Sequence, residues 1–393
     1  MIDPQQIWTG ELNRRALGER PSAPTRVGLY DTTLRDGEQT VGVALDPEQK
    51  LEIAWALDEL GIDRIEAGFP RVSKDDTEAF RAIAAAGLKA EIWGFARAAP
   101  ADVDALLEIG VRAAVIESPV SDGKLRAYGM SREKLLHRVT TSIKHASDNG
   151  VTVCYFGVDG SRADLSFLER VYKEAVAAGA SEIAIVDTLG AVNPEAAVLL
   201  VRSARAWVGE DVPVHWHGHN DFGLATAAAI AAVGAGASWV QGTINGMGER
   251  AGNANLGEVA LALEALYGIG TNLRFDRIRA VSELVRRHSG YELEPWKPLT
   301  GETLFTRESG AVASQFHDPP AIEPYSSEIV GADRRIVLGK KSGLDSIRIR
   351  LRVLGLERAE ETWPELLAAV KELGARKHGL VTDEEFRELV NDR

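Results

Sequence analysis

The feature that most constrains the fold of this chain is a strict alternation of two hydrophobic patterns between residues 27 and 267. Short apolar runs with the composition of β-strands alternate with longer runs that have the spacing of helices. The predicted strands cover residues 27–31, 64–69, 91–95, 113–117, 151–156, 182–187, 212–217 and 239–243. The predicted helices cover residues 47–60, 75–86, 100–109, 132–149, 164–178, 194–208, 221–233 and 256–267. Eight such units in about 245 residues predict the α/β class, as a closed (β/α)8 TIM barrel.

A barrel of this kind builds its site at the carboxyl ends of its strands, and this chain places polar residues there. No Gly-x-Gly-x-x-Gly segment follows the first strand, which counts against a dinucleotide-binding sheet. The polar residues that follow predicted strands include Arg35, Asp36, Glu38, Arg97, Thr188 and Asn253. The sequence therefore predicts that these side chains, contributed by strands 1, 3, 6 and 8, gather at one end of the barrel.

The seventh predicted strand ends in three histidines, His215, His217 and His219. Because side chains alternate along a strand, His217 and His219 project to the same side, where both can bind one divalent ion at about 2.0–2.2 Å. His215 shares this parity but lies one step deeper in the barrel. The structural alternative is that the three imidazoles simply fill polar space in the core.

A carboxylate and an amide oxygen would complete a mixed oxygen and nitrogen site for Mg²⁺, Mn²⁺, Co²⁺ or Zn²⁺. Asp36 is the best carboxylate candidate, since it stands just past strand 1, and Asn253 could supply the amide oxygen. Three protein ligands leave positions that a 2-oxo acid could fill through its keto and carboxylate oxygens. Arg35 would then stabilise an enolate oxygen or pair with a carboxylate.

The length and pattern of the chain predict three parts. Residues 1–25 form a weakly patterned N-terminal extension that ends in a linker at 21–24, and residues 26–275 form the catalytic barrel. Residues 276–393 form a smaller, mainly helical C-terminal region with helices at 278–288, 363–373 and 382–389. The segment 294–343 is interrupted by proline and glycine, which is typical of irregular structure.

The charge and cysteine content limit the partners and the compartment. The net charge of −13 argues against a nucleic-acid or membrane surface as partner, although a local arginine or metal can still attract an anionic substrate. The single cysteine, Cys154, excludes an intrachain disulfide and suits a reducing cytosol, so we expect a cytoplasmic protein. No apolar run approaches the roughly 18–20 residues of a membrane span, and the N-terminus lacks the pattern of a signal peptide.

Four ordered segments resemble the motifs of the DRE-TIM metallolyase family. They are DTTLRDGEQ at 31–39, DTLG at 187–190, HGHND at 217–221 and GMGERAGN at 246–253. Within that family the chain is most similar to the 2-isopropylmalate, homocitrate and citramalate synthases, and LGKKSG at 338–343 resembles a motif of their C-terminal region. The resemblance implies a TIM barrel that joins acetyl-CoA, or another acyl-CoA, to a 2-oxo acid in a Claisen-type condensation. The products are a 2-hydroxy-2-carboxy diacid and free CoA, as in amino-acid biosynthesis.

The resemblance also implies roles for individual residues. It implies a divalent metal held by Asp36, His217 and His219, with Asn253 in or near the ligand shell. It implies that Arg35 stabilises the enolate and that Glu38, beside it, orients groups near the acyl-CoA. Thr188 would bind the carboxylate of the 2-oxo acid. It further implies a homodimer, and we expect the chain to lack the regulatory domain of feedback-inhibited 2-isopropylmalate synthases.

The sequence departs from the family pattern at groups linked to proton transfer. The family segment Phe-x-His-x-x-Gly-x-His corresponds to 305–312, where Arg307 and Val312 replace both histidines, and the later tyrosine corresponds to Ile322. The glutamate after strand 5 is lost in 156–159, and Lys124 occupies the place of a histidine after strand 4. Possible catalytic replacements are Arg307, Glu308, Gln315 and His317. Arg97 is a further candidate for binding a substrate carboxylate.

Two other hypotheses remain open at this stage. The departures are compatible with the reverse reaction, in which a metal-dependent C–C lyase of the 3-hydroxy-3-methylglutaryl-CoA lyase type cleaves its substrate. Those lyases carry a cysteine after strand 8, and this chain has none there. A barrel retained only for binding is the non-enzymatic hypothesis, and the joint presence of Arg35, Asp36, His217 and His219 argues against it.

Overall fold

The computed structural model describes residues 2–17 and 24–391. The linker predicted at 21–24 therefore lies, apart from Pro24, outside the described residues. Within the described residues no helix combines the length and the apolar character that crossing a membrane requires.

Eight parallel strands close into a barrel in the order β1 to β8, and β8 pairs with β1. The strands are β1 Gly28–Asp31, β2 Arg64–Glu66, β3 Glu91–Arg97, β4 Ala113–Pro119, β5 Thr152–Val158, β6 Glu182–Asp187, β7 Val214–Gly218 and β8 Trp239–Gly242. The predicted TIM barrel with a helical C-terminal region is therefore confirmed. Each of the eight predicted strands overlaps one of these elements, and the differences lie at the ends.

Helices connect the strands on the outside of the barrel and continue into the C-terminal region. They are α1 Leu12–Leu17, α2 Pro47–Leu60, α3 Lys74–Ala85, α4 Pro100–Ile109, α5 Asp122–Ala127, α6 Arg132–Asp148, α7 Leu165–Ala177, α8 Pro194–Val208, α9 Ala225–Gly234, α10 Leu256–Ala262, α11 Ile278–Ser289, α12 Gly310–Ala313, α13 Leu344–Leu354, α14 Trp363–Lys377 and α15 Asp383–Asn391. Local sequence explains the sharp starts, as in α2, where Asp46 forms a capping box with Gln49 ahead of Pro47. Residues 263–267 continue α10 as a single π-helical turn.

The interior of the barrel is filled by side chains that alternate along the strands. Its apolar part is a cluster of eight buried residues, which are Tyr30, Trp93, Ala113, Val115, Cys154, Phe156, Ala184 and Val186. On β7 the same alternation turns His215 and His217 inward, and on β8 it turns Gln241 inward. Polar groups thus lie in the barrel interior together with the apolar cluster.

The chain divides into two compact units. One unit spans Glu11–Glu292 and contains the barrel, and the other combines Ile2–Gly10 with the segment from Leu293 onward. In the second unit, Trp8 donates a backbone hydrogen bond to the carbonyl of Pro324. Its short parallel strands are β9 Thr306–Arg307 and β10 Arg335–Ile336, and helices α13, α14 and α15 share its apolar core.

Helix α13 was not predicted from the sequence. In residues 346–353, apolar and polar side chains alternate with a period of two, which is typical of a strand rather than a helix. The structure instead buries Ile347 and Leu351, four residues apart, against the core of this unit. Tertiary packing has therefore selected the helical face over the local alternation.

Candidate functional site

Asp36, His217 and His219 converge at the carboxyl end of the barrel. The Oδ2 atom of Asp36 lies 3.2 Å from Nε2 of His217 and 3.5 Å from Nε2 of His219. The two Nε2 atoms are 3.4 Å apart, and all three side chains are buried. Three ligand atoms of this kind within 4.8 Å of one another could hold a divalent cation.

The strand and the turn explain how these residues meet. His217 lies on β7, and His219 follows two positions later on the same face. Asp36 lies in the turn after β1, where the amides of Asp36 and Gly37 both donate to the carbonyl of Thr32. This compact turn folds the carboxylate back over the barrel mouth.

The loop after β8 brings Asn253 to the end of β7. Asn253 forms a bridge with His219, and the amide of Ala254 donates to the carbonyl of Gly218. The loop is possible because Gly248 and Gly252 adopt φ values of +151° and +82°, which side-chain-bearing residues rarely adopt. A Cβ at Gly252 would lie 1.9 Å from the carbonyl oxygen of Gly246.

Hydrogen bonding around the cluster leaves ligand atoms free. Asn253 donates through Nδ2 to the carbonyl of Met247, while its buried Oδ1 has no hydrogen-bond partner among the described residues.

Burial lowers the pKa of His217, which favours the neutral ring that a metal needs. Burial would raise the pKa of Asp36, but the charge of Arg35 and the neighbouring imidazoles of His217 and His219 hold it well below its usual value. A neutral imidazole, an ionised carboxylate and a free amide oxygen fit a divalent cation.

Arg35 lies beside the cluster and is held by a second buried carboxylate. Its Nε donates to Oε2 of Glu66 at 2.7 Å, and its Nη1 lies 3.5 Å from Oδ2 of Asp36. The guanidinium stacks over Phe95 at 4.3 Å. Its buried Nη2 has no hydrogen-bond partner among residues 2–17 and 24–391. The arginine therefore presents an unused donor in a fixed orientation.

Thr188 follows β6 in the same unit and keeps a hydrogen to donate. Its Oγ1 accepts the backbone N–H of Asp159 at 2.8 Å, so its O–H is available to a ligand. Arg250 donates to the carbonyl of Thr188 and pairs with Asp221 at 2.8 Å, which fixes the loop around it.

Arg97 and Glu38, two other predicted site residues, are engaged by neighbouring charges. Arg97 binds the buried Asp102 through Nε at 2.7 Å and Nη2 at 3.1 Å, with about half of its side chain exposed. Glu38 accepts the amide of Leu45 at 2.9 Å and pairs with the buried Lys50 at 2.5 Å. Both residues are therefore bound by partners other than Asp36 and the two histidines.

The four catalytic candidates from the C-terminal region all lie in the second compact unit; they are Arg307, Glu308, Gln315 and His317. Arg307, on β9, donates to the carbonyls of Leu304 and Thr306 and lies 3.7 Å from the buried Glu323. His317 is exposed, and its Nδ1 is 3.1 Å from the carbonyl of Ser314. Their catalytic roles stay predictions.

Three residues of the barrel, Glu66, Gln241 and Glu117, were given no role from the sequence. Glu66 and Gln241 are inward-facing strand residues, and the signal that could have found them is the same parity argument that found His217. Glu117 follows Val115 on the inward face of β4 and pairs in register with Arg97. Burial raises the pKa of the Glu117 carboxyl. It lines a cavity of about 260 Å³, together with Arg97, Tyr128 and Arg138 among other residues.

The fold and the site together define a closed (β/α)8 barrel with a candidate divalent-metal centre at the carboxyl ends of its strands. The profile of the HMGL-like family matches residues 26–285, and the profile described as homocitrate synthase post-HMGL domain-like matches residues 299–378. The chain belongs to the HMGL-like family, and the resemblance to DRE-TIM metallolyases is confirmed.

Named relatives resemble the chain over most of its length. It is 44% identical over 371 residues to homocitrate synthase AksA of Methanopyrus kandleri, covering 94% of this chain and 93% of that protein. It is 39% identical over 392 residues to 2-isopropylmalate synthase of Methanocaldococcus jannaschii, covering 97% of this chain and 74% of that protein. A crystal structure of the HMG-CoA lyase of Bacillus subtilis matches with a TM-score of 0.62 at 20% identity, covering 69% of this chain and 96% of that one. This last likeness shows the fold alone.

Proposed function

We propose that this chain catalyses a divalent-metal-dependent condensation of acetyl-CoA, or a related acyl-CoA, with a 2-oxo acid. The α-carbon of the thioester forms a bond to the keto carbon, and water then cleaves the thioester. The products are a 2-hydroxy-2-carboxy diacid and free CoA. The relatives at 39–44% identity are named homocitrate, citramalate and 2-isopropylmalate synthases, which supports this reaction class.

The observation that carries the proposal is the convergence of Asp36, His217 and His219 beside the unused donor of Arg35. When bound, a divalent cation supplies a Lewis acid that polarises the keto group of the 2-oxo acid. The three ligand candidates are preorganised by burial, so little reorganisation opposes binding. Asn253 would add a fourth ligand atom, its free Oδ1.

Arg35 is suited to stabilise negative charge that develops during the reaction. Glu66 fixes the guanidinium through Nε, and Phe95 supports its plane, so Nη2 points in one direction without further loss of entropy. A buried, charge-assisted donor of this kind is worth more than one in water. We assign Arg35 to the enolate oxygen of the acyl-CoA or to the keto oxygen of the acceptor.

Thr188 is suited to bind the carboxylate of the 2-oxo acid. The backbone N–H of Asp159 occupies one lone pair of its hydroxyl oxygen, which leaves the O–H as a directed donor. Arg250 and Asp221 hold the surrounding loop. This arrangement gives Thr188 a positioning contact with the substrate.

The proton on the α-carbon of the acyl-CoA needs an acceptor, and Glu117 is the candidate within the barrel unit. It lies near the carboxyl end of β4, and burial raises the pKa of its carboxyl, which strengthens it as a base. Arg307 and His317, in the second compact unit, remain the alternative candidates. We expect Glu117→Gln to lower the rate about 10²–10⁴-fold while the Kd for the metal stays within threefold.

We prefer condensation over cleavage because the relatives with the higher sequence identity are named as synthases. Synthases match the chain at 39–44% identity over 94–97% of its length, whereas the lyase structure matches at 20% identity and carries the fold only. The chain also has no cysteine after β8, where the lyases carry one. Cleavage of a 3-hydroxyacyl-CoA is therefore kept as an outcome of the test.

The test is a screen for thiol release from acyl-CoAs across a panel of 2-oxo acids, with Mn²⁺, Mg²⁺, Co²⁺ or Zn²⁺. We expect thiol only when the acyl-CoA, a 2-oxo acid and a metal are all present, and we expect a chelator to abolish it. No thiol from any combination would overturn the proposal. Acetyl-CoA formed from a 3-hydroxyacyl-CoA would favour the lyase instead.

Two histidine variants provide a matched comparison in this assay. We expect His217→Ala to lower the rate at least about 10³-fold, because it removes a ligand from the centre. His288 lies in the same unit and pairs with Glu52 at the surface, so His288→Ala should retain activity within about twofold. Equal losses in both variants would point to general destabilisation rather than to a metal site.

A further inference from the structure

A continuous chain of buried hydrogen bonds runs through the barrel interior from one metal-ligand candidate. Nδ1 of His217 lies 3.2 Å from Oε1 of Gln241, and Nε2 of Gln241 lies 3.1 Å from Nδ1 of His215. Nε2 of His215 lies 2.6 Å from Oε2 of Glu182. Glu182 in turn accepts two hydrogen bonds from Arg64, at 2.7 and 3.0 Å. All five side chains that form this series of hydrogen bonds are buried.

The chemistry of Arg64 and Glu182 fixes the direction of the hydrogen bonds that Glu182 forms. A guanidinium only donates and an ionised carboxylate only accepts, so Glu182 accepts from Arg64 and from His215. The Nε2 atom of His215 must therefore carry the hydrogen. The ring of His215 stacks on Trp239 and has no exposed surface. The amide nitrogen of Gln241, which can only donate, faces its Nδ1 at 3.1 Å, so this atom accepts and the ring is neutral.

The direction of the next two hydrogen bonds, from His215 through Gln241 to His217, then follows. A neutral His215 that carries its hydrogen on Nε2 has a lone pair on Nδ1, so it accepts from the amide nitrogen of Gln241. The amide oxygen of Gln241 consequently faces His217 and accepts from it. His217 must carry its hydrogen on Nδ1, which leaves the lone pair on Nε2, the atom that lies 3.2 Å from Asp36.

The other histidine of the centre shows that this arrangement is specific to His217. The Nδ1 atom of His219 is buried and has no hydrogen-bond partner in the described part of the chain. The two imidazoles therefore differ in how their outer nitrogens are satisfied. Of the two rings, His217 is the one whose Nδ1 forms a hydrogen bond in the barrel interior.

A second metal site would be the competing explanation, since Cys154, Glu182 and His215 also place ligand atoms within 4.8 Å of one another. Arg64 already neutralises the charge of Glu182 and occupies both carboxylate oxygens. Burial raises the pKa of Cys154 well above its usual value, so the thiolate that a metal requires is disfavoured. The cluster is better explained as support for His217.

We propose that Glu182, His215 and Gln241 act as positioning residues that hold His217 in the Nδ1–H tautomer and orient its Nε2 toward the cation. Gln241 is the central element, because only a group with an acceptor on one side and a donor on the other satisfies both histidines. The proposal rests on the proposed metal-dependent function, and it extends that function to residues that contact neither metal nor substrate.

The test compares the full-length protein with Gln241→Met, which keeps a similar side-chain volume but removes both hydrogen bonds. Proton–nitrogen correlation spectra of histidine-labelled, metal-free protein report the tautomer, with the His217 signals assigned by their loss in His217→Ala. We expect the Nδ1–H tautomer in the wild type and its loss in Gln241→Met. Titration with Co²⁺ or Zn²⁺ should show a Kd about 10- to 100-fold higher in the variant.

Two further variants separate positioning from packing. Gln241→Glu retains an acceptor for His217 but loses the donor to His215, so it should restore the Nδ1–H tautomer of His217 and give a Kd below that of Gln241→Met. Val115→Ala removes volume from the same barrel interior without touching the chain of hydrogen bonds. It should lower the Tm and leave both the His217 tautomer and the Kd unchanged.

The outcomes distinguish this inference from the proposed function. If Gln241→Met keeps the wild-type tautomer and Kd, the positioning role is overturned. An Nε2–H tautomer of His217 in the wild type would also overturn it. If the wild type binds neither cation while the tautomer shifts as expected, the hydrogen-bonded chain is supported and the metal-dependent function fails.

Discussion

At the scale of single residues, the candidate site depends on buried charges that hold one another. Glu66 has no exposed surface and accepts hydrogen bonds from Arg35, Tyr30 and Thr32. These three donors fix the carboxylate, and the carboxylate fixes the arginine. The direction of the free Nη2 donor of Arg35 is therefore set by a residue that need not contact substrate.

We expect Glu66→Gln to lower the rate of thiol release about 10²-fold, because an amide nitrogen facing Arg35 or Thr32 would replace an acceptor by a donor. The Kd for the metal should change less than about threefold, since Glu66 is not one of the ligand candidates. Glu91→Gln is the control, because Glu91 is half-exposed and pairs with Arg64 instead. Full activity in Glu66→Gln would show that Arg35 is not oriented through this ion pair.

A second prediction at this scale concerns the acid stability of the barrel. Burial opposes ionisation of Glu182, but His215 and Arg64 lower its pKa from 4.5 to about 2. Since the pKa is depressed in the folded state, the stabilisation is complete above about pH 4.5 and is lost as the pH falls toward 2. The difference in free energy of unfolding between wild type and Glu182→Gln should shrink by about 2 kcal/mol between pH 6 and pH 3. Denaturant titrations at both pH values measure it, and a constant difference would contradict the assignment.

The sequence predicts the residues whose position along a strand is informative by itself. The parity of β7 selected His217 and His219, and proximity to the end of β1 selected Asp36, and the structure brings all three together. Glu66 and Gln241 were not identified, because their partners lie 31 and 24 residues away along the chain. Strand parity could have shown that both side chains face inward, but the partners themselves meet only when the barrel closes, so the sequence does not reveal these pairings.

At the scale of elements, the glycine-rich loop after β8 holds the ligand candidate Asn253 against β7. Its backbone pairs with the end of β7 on both sides of Asn253, through Asn220 to Gly252 and through Ala254 to Gly218. The path between these bonds needs the positive φ of Gly252 and its close approach to Gly246. The loop therefore holds Asn253 against β7, and its path requires that residue 252 has no side chain.

We expect Gly252→Ala to raise the Kd for Co²⁺ at least about 10-fold and to cost about 2–3 kcal/mol of stability, because the new Cβ would overlap the carbonyl of Gly246. Gly110 is the matched control, since its φ of +94° is similar and a Cβ added there would meet no atom within 4 Å. Gly110→Ala should cost about 1–2 kcal/mol and leave the Kd unchanged. Cobalt titration and chemical denaturation of both variants check this, and equal Kd values would show that the loop does not place a ligand.

Elements were predicted well where local chemistry and tertiary packing agree. Helix α2 begins at the capping box of Asp46 and ends before Gly61, as its sequence indicates. Helix α13 was missed because its arginines alternate with apolar residues, and only the core of its own unit selects the helical face. The barrel repeats its pattern eight times, so an error at one element does not change the predicted architecture. The smaller C-terminal region has no such repetition.

At the scale of the whole molecule, one compact unit contains all four ligand candidates, whereas the catalytic candidates are divided between the two units. Asp36, His217, His219 and Asn253 all belong to the unit that spans Glu11–Glu292. Arg307 and His317 belong to the other. The division separates metal binding, which needs one unit, from proton transfer, for which both units offer candidates.

We expect a fragment of residues 11–292 to fold cooperatively and to bind Co²⁺ with a Kd within about threefold of the full chain, because its core and its ligands are its own. A folded fragment that bound the cation much more weakly would contradict the assignment of the four ligands. Thiol release by the same fragment decides between the proton-transfer candidates. If Arg307 or His317 is required, the rate should fall at least about 10²-fold, the usual contribution of a positioned acid or base. If the rate is retained, the acceptor lies in the barrel, and Glu117 becomes the group that takes the proton.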